Sequence, residues 1–128
     1  MILGMQFEKK ELIFPVALAV VVVLLTTLPV IYGYLRSNAN FRFIGFLAEP
    51  YDHNTYFSWM KQAKDGNIFF EEKYSGEEQP RNIFLLYFLA EGFLSRISGV
   101  PLAVVYQAMR MASAFILLLT AYFFISYF

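Results

Sequence analysis

The chain has no cysteine, one tryptophan and one histidine, and only 16% of its 128 residues are charged, against about 25% in ordinary soluble domains. Without cysteine there is no disulfide scaffold and no thiolate metal site. Ten Lys/Arg balance ten Asp/Glu, so the basic field that a nucleic-acid partner needs is missing, and so is an acidic tail. No glycine-rich phosphate loop, no His-Glu-x-x-His and no nucleophile elbow occurs. No internal repeat is visible. What is plentiful is bulky apolar side chain. Hydrophobic residues make up 59% of the chain, with 15 Phe and 9 Tyr among the aromatics. That composition excludes disorder, collagen and a coiled coil.

The order of the residues points to a lipid bilayer. Residues 12–35 carry no charge, and about 20 apolar residues cross a bilayer core of about 30 Å. The β-branched run Val20–Val23 suits a strand in water, but in lipid the backbone must satisfy its own hydrogen bonds, and a helix results. Pro15 falls in the first turn, where its missing N–H costs nothing. Pro29 is expected to kink the last third. A cleaved signal peptide is the competing reading. Its apolar core would span about 7–15 residues and end in small residues, whereas this run is longer and ends in Tyr32, Tyr34 and Leu35.

Residues 83–98 predict a second, short membrane helix bearing Glu91 and Arg96. Ser98-Gly99-Val100-Pro101 stops it and starts the next. Residues 101–128 predict a third, with Arg110 as its single charge. Arg110, Ser113, Leu117 and Thr120 share one helical face. That face is expected to meet other helices or a wet cavity, because a charge facing lipid costs at least about 2.5 kcal/mol. The apolar helix is still running at Phe128, so the chain reads as the N-terminal piece of a longer protein. The expected fold class is therefore all-α, a polytopic transmembrane helical bundle completed by the remaining transmembrane helices of the same protein. Residues 1–11 form a short tail with Lys9 and Lys10. The tail is placed in the cytoplasm by its basic density and by the length of the loop that follows.

Residues 36–82 form the outer loop and carry most of the charge. Asp52 is a good N-cap and Gly66 a good C-cap for a helix over 52–65. Tyr56, Phe57, Trp59, Met60 and Ala63 make an apolar face, which reads as a helix lying at the membrane interface. Residues 68–74 read as extended, and 75–80 as turn-rich.

Three features of the loop can carry chemistry. Asp52 with His53 sits at a helix start, where a carboxylate can take a proton from a hydroxyl or bind a divalent cation. The plainer reading is a capping aspartate beside a solvated histidine. Glu71, Glu72, Glu77 and Glu78 form an acid cluster, for which the plainer reading is a solvated face. Arg81-Asn82, at the start of the second membrane helix, combines free N–H groups with a guanidinium into a site for a lipid phosphate. The plainer reading is an arginine snorkelling to ordinary head groups. Arg110 is a functional candidate by its depth in the membrane, against a structural pairing with another helix.

The order and spacing of these pieces resemble the C-type (GT-C) membrane glycosyltransferase superfamily, in particular bacterial relatives of dolichyl-phosphate-mannose protein mannosyltransferases. Asp52-His53-Asn54-Thr55-Tyr56-Phe57-Ser58-Trp59 is similar to the Asp-x-x-x-Tyr-x-x-Trp/Ile opening of that family's first outer loop. Ala63-Lys64-Asp65-Gly66-Asn67 resembles its helix end, and Tyr74 to Glu78 its Tyr-x-x-Glu stretch. Ile97-Ser98-Gly99 and Val105-Tyr106-Gln107-x-x-Arg110 follow in the same order. The resemblance covers residues 12–128. It implies an inner-membrane, multi-pass enzyme that moves a sugar from a polyprenyl-phosphate donor to an acceptor on the outer face. Asp52 would be the catalytic general base. Arg81, His53 and Arg110 would contact substrate or phosphate, and Glu77 or Glu78 would be a second-loop acid. The family often has a second acid beside the first; here Tyr51 and His53 flank Asp52. The cofactor is therefore open, a divalent cation at Asp52 being one option. Two other readings stay open. One is a small non-enzymatic membrane subunit docking a partner through the Arg110 face. The other is the start of a lipid-linked-saccharide transporter, which would have no need of Asp52.

Overall fold

A computed structural model describes the backbone of residues 9–47 and 50–128, with side chains from residue 12 to 47 and from 51 onward. Most of the expected 1–11 tail lies outside the described residues. Among those described there are four helices and no strands: α1 (Lys9–Leu35), α2 (Pro50–Lys64), α3 (Leu86–Ser98) and α4 (Leu102–Tyr127).

Two of these are long and apolar enough to cross a membrane, over Leu12–Leu35 and Leu102–Tyr127. Helix α1 runs on through both Pro15 and Pro29. Its apolar side chains largely point outward: Leu25 is 59% exposed, and on α4 Phe124 is 65% exposed. A soluble protein covers the core helices that it builds from such residues, because exposed apolar patches of this extent associate with other surfaces.

The second expected membrane helix, over 83–98, is corrected. At 13 residues, α3 covers about 20 Å, short of a bilayer core of about 30 Å. It starts late because the backbone of Ile83 is engaged elsewhere. Its N–H and C=O pair with Phe70 at 3.2 and 2.8 Å, in an isolated antiparallel bridge. Leu85 is therefore still extended, and the helix begins only at Leu86. The extended piece expected at 68–74 reduces to this one bridge.

Helix α2 packs chiefly on α3 and touches α4. Helices α2 and α3 approach closely at Gly92, where an added Cβ would run into Ala63 and the Met60 carbonyl. Part of the apolar face of α2 is covered by protein: Met60 and Ala63 are buried, and Tyr56 stacks on Phe88 of α3 at 5.0 Å. The core sits here, with Phe70 and Val105 completing it. Gly99, in the left-handed region at φ 71, ends α3 by donating its N–H to Ser95 O. Pro101 then starts α4, its carbonyl accepting from the Val104 and Val105 N–H groups.

Candidate functional site

The start of α2 is docked on the start of α4. Helix α2 begins at Pro50, so Asp52 lies in its first turn rather than at the cap. A carboxylate there faces unpaired N–H groups and the positive end of the helix. Asp52 is exposed. His53, the next residue, is held on three sides. Its ring stacks on Phe46 at 4.4 Å and 14°. Its Nε2 lies 3.2 Å from the Tyr106 hydroxyl, and Tyr56 closes the third side at 5.9 Å. Tyr106 is four residues into α4, about 6 Å along its axis. The Asp52–His53 pair thus stands at the end of a candidate span, with the carboxylate exposed.

Arg110 holds this arrangement together from one turn deeper. Its Nε donates to Gln107 Oε1 at 2.8 Å, and its Nη2 donates to Thr27 Oγ1 on α1 at 3.1 Å. Gln107, itself buried, donates from Nε2 to the Gly45 carbonyl. Gly45 has φ 104, and an added Cβ would lie 2.9 Å from the Tyr34 hydroxyl. One guanidinium therefore ties α1, α4 and the segment that carries Phe46. Arg110 acts as a brace within the described residues, and its partners are a threonine and a glutamine. Leu117 and Thr120, expected on the same inward face, are exposed.

Arg81 lies elsewhere. It is not at a helix N-terminus, since α3 starts five residues later. Its Nε donates to Glu71 Oε2 at 3.2 Å, and its Nη1 donates to Asn67 Oδ1 at 2.6 Å. The buried side-chain amide of Gln62 fixes that corner, pairing with both the N–H and the C=O of Glu71 at 3.0 Å. Asn67 follows the C-terminal end of α2, while Asp52 is in its first turn. The two ends are about 20 Å apart along the helix. Asp52 and Arg81 are therefore not brought to one reacting centre. Glu77 and Glu78 are exposed and line an open surface hollow with Glu71, Glu72 and Gln79.

Among the described residues no three His, Asp or Glu side chains form a group that could hold a metal. Asp52 offers a single carboxylate, and the adjacent imidazole is turned to Tyr106 and Phe46. Among the described residues this set falls short of the six or more oxygen ligands that a calcium ion takes.

Sequence reasoning missed Glu91. An acid on a short membrane helix reads as a structural partner for another helix. Glu91 is instead wholly buried, and among the described residues neither carboxyl oxygen has a hydrogen-bond partner of ordinary geometry. Burial pushes its carboxyl up to about 7, offset in part by the Tyr87 hydroxyl nearby. Arg96 does not reach it; the Arg96 guanidinium lies against Gly66. An acid within an apolar run was the available signal, but its burial depends on α2 and α4.

No protein-family model, no curated protein and no solved structure matches the chain.

Proposed function

We propose that this chain is the N-terminal portion of an integral-membrane glycosyltransferase that moves a sugar from a polyprenyl-phosphate donor to an acceptor hydroxyl on the outer face. The observation that carries the reading is the exposed first-turn carboxylate of Asp52, beside a histidine fixed to Tyr106 at the end of a candidate span. That is the depth at which a lipid phosphate meets water. The resemblance of residues 52–59 to the family's first-loop opening supports the same assignment. Helices α1 and α4 span the inner membrane, the N-terminus is cytoplasmic, and the α2–α3 layer lies on the outer face. The protein's remaining transmembrane helices complete the polytopic bundle and the donor site.

In the reaction, the acceptor oxygen bonds to the anomeric carbon as the bond from that carbon to the phosphate oxygen breaks. The acceptor proton passes to Asp52, and polyprenyl phosphate leaves. Arg81, about 20 Å from Asp52 along α2, has no part in this step. His53 and Arg110 are positioning residues. The test uses membranes from cells that make the full-length protein, supplied with polyprenyl-phosphate hexose labelled in the sugar. Label moving to an endogenous acceptor, and not moving in membranes lacking the protein, is the expected result. Equal label in both would refute the reading.

A further inference from the structure

A second concave site lies on the other side of the loop. It is a groove of about 480 Å³ between the last turns of α1 and residues 41–47. Its walls are apolar, including Pro29, Phe43 and Ile44, and its floor is closed where Phe43 packs on Gly33. Among the described residues two arginines, Arg36 and Arg42, stand on its lining, and no acidic side chain does. Among the described residues neither arginine has an ion-pair partner, all three ion pairs involving other residues. Arg36 is held in place, donating to the Tyr32 hydroxyl at 3.0 Å and lying 5.2 Å over the Tyr32 ring. Below the groove the same helical face continues as Leu25 and Leu28, both more than half exposed, because residues three and four apart stack along a helix.

We propose that this groove binds one anionic membrane phospholipid, its phosphate between Arg36 and Arg42 and an acyl chain along Pro29, Leu28 and Leu25. This rests on α1 spanning a membrane, as proposed above. The charge complementarity selects an anion, since a guanidinium binds phosphate oxygens through paired N–H donors. The apolar walls and their continuity with the exposed face of α1 select an anion that carries a hydrocarbon chain, which inorganic phosphate does not. The site is separate from Asp52 and takes no part in the sugar transfer.

The test reconstitutes the full chain into phosphatidylcholine vesicles containing a trace of spin-labelled phosphatidylglycerol or spin-labelled phosphatidylcholine. Electron spin resonance then reads the fraction of lipid held motionally restricted. Phosphatidylglycerol is expected to be preferred, and the preference to fall about fivefold for each of Arg36→Gln and Arg42→Gln. It should be kept in part in the Arg36→Lys/Arg42→Lys double variant, which retains the charge but not the paired N–H donors, and in full in Arg96→Gln, which removes one charge beside Gly66. Equal restriction of both lipids would overturn the proposal. So would an equal loss in Arg96→Gln, which would mean diffuse charge attraction, and so would displacement by inorganic phosphate. A chain that fails to sediment with either vesicle would refute the membrane reading itself, and this is seen before any spectrum is recorded.

Discussion

His53 of α2 places its Nε2 3.2 Å from the hydroxyl of Tyr106 on α4, although 53 residues separate them in the chain. This contact sets where the neighbouring Asp52 carboxylate stands. Tyr106→Phe keeps the ring against Phe57 and removes the hydroxyl. Loss of one such hydrogen bond costs about 0.5–1.5 kcal/mol. A lower unfolding temperature in detergent is expected, with helix content unchanged by circular dichroism.

Arg110 and Thr27 join the two candidate spans. Hydrogen bonds between membrane helices show coupling of about 0.6 kcal/mol on average, and up to about 1.7. A double-mutant cycle with Thr27→Val and Arg110→Gln is expected to give a coupling in that range. Additive losses would mean that the contact contributes nothing.

At Gly92 α2 and α3 approach closely, and a methyl group there meets Ala63 and the Met60 carbonyl. Backbone cannot move aside cheaply, and overpacking a close contact costs about 1–3 kcal/mol. Gly92→Ala is therefore expected to unfold earlier than the parent. Gly76→Ala, where nothing lies within 4 Å, should not.

Glu91 makes stability depend on pH. Its carboxyl is pushed up to about 7 in the folded chain, from an ordinary 4.5. The folded state thus holds a proton that the unfolded state releases, so stability is full below about pH 4.5 and falls as pH rises towards 7. By linkage the loss is about 3 kcal/mol. Unfolding measured from pH 5 to pH 8 is expected to show this decline, and Glu91→Gln to flatten it. A flat profile in the parent would mean that the carboxyl is solvated or paired.

Much of the architecture is local and was legible. The uncharged run at 12–35 forms α1, and Asp52 with Gly66 brackets α2 to within two residues. Gly99 and Pro101 mark the junction of α3 and α4. What escaped depends on contacts far apart in sequence. Helix α3 loses its first residues because Ile83 pairs with Phe70. The aromatic face of α2 is legible in the sequence, but its contacts with Phe88 and Tyr106 are not. Asp52 and His53 stand out as a dipeptide, but the Tyr106 partner and the Arg110–Gln107–Gly45 brace need α4 folded back on the loop. Arg81 reads as a phosphate ligand only if a helix begins beside it. Glu71 and Asn67 claim its guanidinium instead.

The role of Asp52 is tested most directly by Asp52→Asn and Asp52→Glu in the full-length protein, assayed in membranes with labelled polyprenyl-phosphate hexose. Removing a general base costs about 10²–10⁴-fold in rate. Asp52→Asn is expected to lose transfer by that factor while staying folded, since the residue is exposed. Asp52→Glu is expected to retain part of the activity. Undiminished transfer by Asp52→Asn would contradict its assignment as the base.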